Sequence, residues 1–175
     1  MRRMLGAGAA IAVALLLAGC GSGGSGDAEP TQGPPGQSKP SAEGPFFGEC
    51  GSVTDDEVLK AVALPQLPVV SRNSVGCVWE TGGIFGPSVS FSWYRGSPIG
   101  REAAGSGLIG RPPQKIEING HPGFEGSAGA ELCEIGVQYG DDFFHWSVTY
   151  ADTPPTADVC GVAKGFAQLT ASRVK

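Results

Sequence analysis

The chain has 175 residues, 17 acidic against 12 basic, and a formal charge of −5. That acidic balance argues against a basic face that binds nucleic acid or an anionic bilayer. Its five cysteines include no Cys-x-x-Cys pair, and both histidines lie far from them in sequence, so zinc is disfavoured and no metal or other cofactor is implied.

Arg2 and Arg3 precede an uncharged apolar run from Met4 to Leu17, which closes on Leu17-Ala18-Gly19-Cys20. Residues 1–19 read as a secretory signal peptide that ends in a lipobox. The run of roughly 15 apolar residues is shorter than the about 20 that span a bilayer, so a transmembrane anchor is the poorer reading. Cleavage before Cys20 makes its thiol the lipid-bearing N-terminus and holds the protein at the cell membrane on the extracytoplasmic face. A single acyl chain binds only marginally, with a partition constant on the order of 10⁴ M⁻¹, so lasting attachment needs the further chains of a bacterial lipoprotein. Losing Arg2 and Arg3 leaves 10 basic residues against 17 acids, a formal charge of −7.

Residues 20–44, after the cysteine, are Gly, Ser, Pro, Gln and Thr with almost nothing apolar, a composition that cannot bury enough surface to order itself. As a flexible tether the segment spans roughly 25 to 30 Å. A single exported domain then occupies residues 45–175, a normal size for one core.

Within it, Thr54 and Glu57 form a capping box flanked by the staple pair Val53 and Val58, with Asp55 and Asp56 beside the positive end of the helix dipole. These carboxylates read as a helix start, not a metal cluster, and Pro65 ends the helix. A loop through Pro68 leads to a strand from Val75 to Glu80, with Cys77 and Trp79 on one face. From Ser88 to Tyr94 the pattern alternates, Val89, Phe91 and Trp93 inward. Ser97-Pro98 offers an N-cap and first position for a short helix that dies in Gly105-Ser106-Gly107. Lys115 to Ile118 is a further strand, and Asn119-Gly120 a turn; Pro122 and Gly123 weaken the return strand around Phe124. From Leu132 to Tyr150 a hairpin turning at Gly140-Asp141 pairs Ile135 with Trp146 and Val137 with Phe144. The last helix runs from Thr156 to Val174, with Val159, Val162, Ala163, Phe166 and Leu169 in one stripe.

These elements predict an α+β fold of two layers: an antiparallel sheet of five or six strands with the N- and C-terminal helices on one face. With Cys20 set aside, Cys50, Cys77, Cys133 and Cys160 remain, an even number in an oxidising compartment. Two disulfides follow. Cys50–Cys77 with Cys133–Cys160 is favoured over the two other pairings, because each bridge then staples a helix region to the sheet.

Most candidates for chemistry have a plainer explanation. Gly105 to Gly110 matches the letters of a dinucleotide fingerprint, yet no βαβ unit surrounds it and Pro112-Pro113 prevents the required helix, so it reads as a loop. His145 and Ser147 share a polar strand face with Glu134 opposite, but no oxyanion hole or nucleophile turn accompanies them. His121 reads as a solvated loop residue. Tyr94, Arg95 and Arg101 surround a Gly-Ser-Pro turn and suit a ligand or partner contact; salt bridges to Glu102 or Glu125 explain the arginines equally well.

Gly44-Pro45-Phe46-Phe47, Cys50-Gly51, Asn73-Ser74-Val75-Gly76-Cys77 with Trp79, the long run from Ser90 to Glu102, and Asp141-Asp142-Phe143 resemble the LprB-type lipoproteins of mycobacteria, an actinobacterial family whose domain has no agreed function. The resemblance implies a cell-envelope lipoprotein with Cys20 as its lipidated cysteine, and it carries over no catalytic residue. Three readings follow. First is a non-enzymatic binding or accessory module serving another envelope protein, attached to the membrane through its lipid. Second is a carrier of a lipid or other apolar ligand, suggested by Phe85, Phe91, Trp93 and Trp146. A carrier needs a cavity of several hundred cubic ångströms between sheet and helices, on the order of 300 or more. A hydrolase using His145 and Ser147 is third.

Overall fold

A computed structural model describes residues 44–174. The leader, Cys20 and nearly all of the expected tether lie outside the described residues. Thr54 caps the first helix, Asp55–Val62 (α1): its hydroxyl accepts from the Glu57 amide, and the Glu57 carboxylate accepts from the Thr54 amide. Val53 and Val58 are both buried, as a staple requires.

Strands Val69–Asn73 (β1), Gly76–Glu80 (β2) and Ser88–Tyr94 (β3) come next, followed by helix Ile99–Leu108 (α2). Gln114–Ile118 (β4), His121–Ala128 (β5), Leu132–Tyr139 (β6), Asp142–Thr149 (β7) and the helix Val159–Arg173 (α3) complete the domain. The strands form one antiparallel sheet in the order β1-β2-β3-β7-β6-β5-β4. Two meanders therefore meet at its centre, where β3 pairs with β7, and α2 is the crossover between them.

The expected five or six strands are corrected to seven. The additional one is β1, an exposed edge strand whose adjacent Val69 and Val70 give no alternating pattern; pairing with β2 across the Ser74-Val75 turn extends it. The β6–β7 hairpin has the anticipated register, Ile135 opposite Trp146 and Val137 opposite Phe144.

One sheet face carries Trp79, Phe91, Ile135, Val137, Phe144 and Trp146, which join Val58 and Val62 of α1 and Val159, Ala163 and Phe166 of α3 in a single buried cluster. Of its polar groups Trp93 Nε1 is buried without a hydrogen-bond partner, whereas others are paired. Trp146 Nε1 donates to Thr170 at 3.0 Å, Thr170 donates to the Gly51 carbonyl at 2.8 Å, and the Tyr150 hydroxyl donates to the Val62 carbonyl at 2.9 Å. Gly51 sits at φ 66°, and a Cβ there would stand 2.8 Å from the Phe91 ring. Arg173 reaches back from α3 to the Ser52 carbonyl and the Glu57 carboxylate. The Arg173 hydrogen bond, with those from Thr54, lowers the Glu57 carboxyl to about 2.

Cys50 is joined to Cys77 and Cys133 to Cys160. Each bridge closes a separation of 27 residues, which restricts the unfolded chain by about 3.5 kcal/mol in the loop-entropy account.

Two helix boundaries differ from expectation. Pro98, not Ser97, is the N-cap residue of α2, and the helix continues through Gly105-Ser106-Gly107 to Leu108. The Ser106 side chain explains the extension, because it is buried and hydrogen-bonded beneath the helix. α3 begins at Val159 after Asp158, whose carboxylate accepts from the Gly161 amide; Thr156 instead donates to the Val62 carbonyl. The fold is more than two layers, since α2 lies against the face opposite the core cluster, where Ser106 meets Glu134 of β6.

Candidate functional site

The register sends Glu134, Gly136 and Gln138 of β6, and Phe143, His145 and Ser147 of β7, to the α2 side of the sheet. Glu134 is 3 % exposed and His145 8 %. His145 Nε2 lies 3.2 Å from Glu134 Oε2, and Arg111, in the loop after α2, places Nη1 3.4 Å from the same oxygen. Ser106 Oγ is within reach of both Glu134 Oε1 and the Arg111 carbonyl. A buried carboxylate is thus surrounded by donors from three elements. Burial alone would raise the Glu134 carboxyl, but hydrogen bonds from His145 and Ser106 and the nearby charges of His145 and Arg111 hold it below its ordinary value.

The order of these groups limits their chemistry. Nucleophilic catalysis by serine needs the imidazole next to the hydroxyl and the carboxylate behind it. Here Glu134 stands between Ser106 and His145. A carboxylate only accepts, so His145 Nε2 carries the proton in this contact and is no base toward Ser106. Ser147 faces Glu134 in the register, as the hairpin pattern implied, but makes none of these hydrogen bonds. Among the described residues, Glu125, Cys133 and Cys160 bring potential metal-ligand atoms together, but the two sulfurs are spent in a disulfide and Glu125 Oε2 lies 2.5 Å from Lys164 Nζ.

The residues around the Gly-Ser-Pro turn diverge. Tyr94 stacks on Phe143 at 4.4 Å on the α2 side, whereas the Arg95 guanidinium lies 4.3 Å above the Trp93 ring. Arg101 donates to the Ser97 hydroxyl at 3.2 Å. Neither arginine joins an ion pair among the described residues, and Glu125 is held by Lys164 instead. His121 is no loop residue: it opens β5, and its ring stacks on Tyr139 at 3.7 Å, because the β5–β6 register brings both to one face.

Concavities lie on both sides of the sheet, and one of about 790 Å³ is lined by Ala61 of α1, by Val162, Phe166 and Leu169 of α3 and by Asn119, with Glu57 and Asp158 also lining it. Phe91, Trp146 and Phe166 occupy the gap between the sheet and α3, with ring centroids 5.1 and 4.9 Å apart in successive pairs, and Phe85 is 68 % exposed away from it. Beside α2, however, a groove of about 520 Å³ runs between Ile99, Gly100 and Ala103 and the strand residues Lys115, Pro122 and Phe124. Gly136 lets the Phe124 ring lie down on the sheet, since a Cβ at Gly136 would stand 2.4 Å from it. Sequence reasoning placed Glu134 and His145 on a shared face but missed Ser106, Arg111 and the groove. The only signal for them was the apolar Ile99 and Ala103 at a helical spacing of four.

A model of a family described as "Protein of unknown function (DUF3558)" matches residues 15–173. The chain belongs to this DUF3558 family. It is 44% identical over 138 residues to "Putative lipoprotein LprB" of Mycobacterium bovis and of Mycobacterium tuberculosis, covering 75% of this chain and 74% of those proteins. The Mycobacterium leprae protein of the same name is equally similar, with 73% of its length covered. No solved structure matches the chain. These DUF3558 relatives are named as lipoproteins, and neither their name nor the family description specifies a reaction. Among the described residues no helix is long and apolar enough to cross a membrane.

Proposed function

We propose that this DUF3558 protein is a lipid-anchored module on the outer face of the cytoplasmic membrane that works by binding rather than by catalysis. Cys20 carries the acyl groups once residues 1–19 are removed, residues 20–44 are the tether, and residues 45–175 are the exported domain. The names of the LprB relatives support the anchor. The observation that carries the binding half is the contrast beneath α2. There the titratable groups Glu134, His145 and Arg111 are committed to one another, while the concavity beside them is open and apolar.

Arg95 and Arg101, with Tyr94 at the same turn, are the contacts offered to an envelope partner. A second reading, a carrier of an apolar ligand, is supported by the groove beside α2, whose lining carries no acid, whereas Glu57 and Asp158 line the concavity on α3 and rings fill the space beneath that helix. Mass spectrometry of the lipoprotein purified from its own membranes tests the proposal. The expected mass is that of the chain from Cys20 onward bearing acyl groups, with Cys20→Ala released from the membrane fraction. A chain that retains Met1 to Gly19 in the cytosol overturns it.

A further inference from the structure

Resting on the binding reading, the groove beside α2 also indicates what class of ligand it takes. Its walls are mainly apolar, Ile99 and Ala103 on the helix and Pro113, Pro122 and Phe124 on the sheet side, with the neutral amides Gln114 and Gln138 beside them. One charged residue lines it, Lys115, and no acid does. That is unusual in a chain with 17 acids. Among the described residues Lys60, Arg95 and Arg101 are without an ion pair but do not line the groove, and the remaining cations are committed. Arg72, Arg111, Lys164 and Arg173 each pair with a carboxylate. Lys115 is exposed and joins no ion pair among the described residues.

Lys115 lies opposite Phe124 in the β4–β5 register, so the ammonium stem and the ring share the groove face of the sheet. A long flexible stem lets the charge sit at the water boundary while its methylenes cover apolar surface. At about 520 Å³ the groove falls within the size range of small-ligand sites, roughly 300 to 1,000 Å³. Apolar walls with a single unpaired cation complement one alkyl chain and one negative charge. A zwitterionic or two-chain lipid would bring charges or bulk for which the lining has no counterpart.

We infer that the groove between α2 and strands β4 and β5 binds a free long-chain fatty acid, its tail on Ile99, Ala103 and Phe124 and its carboxylate at Lys115. The helix wall is well made for this. A Cβ added at Gly100 would meet nothing within 4 Å, so the groove stays open on that side.

The test uses the whole mature chain carrying Cys20→Ala, so that its own acyl groups do not compete, titrated calorimetrically with palmitate and with hexadecanol below their aggregation limits. One palmitate per chain is expected. Lys115→Gln weakens palmitate by about fivefold, the worth of a partly exposed ion pair, and leaves hexadecanol unchanged. Gly100→Phe, whose Cβ enters open space at the groove lining, abolishes both while the melting temperature holds. Equal palmitate binding by Lys115→Gln overturns the anionic class but leaves the binding reading standing. No binding of either probe, or undiminished binding by Gly100→Phe, overturns the site itself. A dimer in sedimentation that Gly100→Phe dissolves assigns the groove to a second copy and likewise overturns the inference. The anchor is judged separately by the mass on Cys20.

Discussion

On the side of the sheet facing α1 and α3, rings pack against rings, both disulfides are anchored, and Trp146, Thr170 and Tyr150 find neutral hydrogen-bond partners. On the other side lies one helix of ten residues with three glycines, Gly100, Gly105 and Gly107, held over the sheet by a buried carboxylate with its donors. Glycine in a helix interior costs about 1 kcal/mol relative to alanine, so α2 is intrinsically weak and its position depends on the Glu134 contacts. The first side is built to hold its shape in an exported protein. The second can adjust around a ligand, and it is the side with the groove at Lys115.

The largest effect that tests this contrast is on the core side. Trp146 lies between the tilted rings of Phe91 and Phe166 and donates to Thr170. Trp146→Ala is expected to cost about 3 to 5 kcal/mol. Denaturant titration of the whole chain then shows a lowered midpoint and loss of protection throughout the sheet. Destabilisation confined to one strand would mean that the core side is not one cooperative unit.

Next in size is Glu134→Gln. It leaves Arg111 and His145 without their shared anion. A fully buried broken pair would cost about 3 to 5 kcal/mol, but Arg111 is partly exposed, so about 2 kcal/mol is expected. Hydrogen exchange should locate the loss in α2 and the loop to Arg111, with amides of β3, β6 and β7 still protected. Equal deprotection of the core strands would erase the distinction between the two sides.

Acid probes the same carboxylate without a mutation. The folded Glu134 carboxyl lies below its ordinary 4.5. Its stabilising contribution is therefore present above the unfolded value and is lost as pH falls through the folded one. The protection of α2 should fall in that acid window before the core amides change, and Glu134→Gln should flatten this limb. Glu57, held at about 2 on the core side, gives up its contribution as pH falls toward that value. Loss of α2 protection that is independent of Glu134 would assign the docking to other contacts.

What the sequence made legible follows the same division. Core-side strands carry strict alternation, Val89, Phe91, Trp93 against Phe144, Trp146, Val148, so their faces and the hairpin register can be read from period two alone. The Thr54–Glu57 box is a local signal and is equally readable. β1 is not, because Val69 and Val70 are neighbours on an exposed edge and only their partner strand extends them. The α2 cluster was half visible. Glu134 and His145 fall on one face by register, but Ser106 and Arg111 join them through a long-range docking that leaves no periodic mark, and glycines on both sides of Ser106 suggest a chain ending there. His121 followed the same logic: the proline after it reads as a loop, while its stacking on Tyr139 is set by strand pairing.

The smallest expected effect is the sharpest test of adaptability, because it adds stability to one side and leaves the other untouched. Gly105 lies in the interior of α2, and a Cβ there would meet nothing within 4 Å. Gly107 is the poorer choice, since its Cβ would crowd Pro113 at 3.3 Å. Gly105→Ala should therefore stabilise the helix by about 0.5 to 1 kcal/mol, through propensity and reduced freedom of the unfolded chain. Slower hydrogen exchange in α2 with an unchanged core is the expected reading. If α2 must shift to seat a ligand, the stiffened helix slows palmitate association while the core strands report nothing. If association is unchanged, the groove is preformed, and Gly107 serves the close approach of α2 to Pro113 rather than its motion.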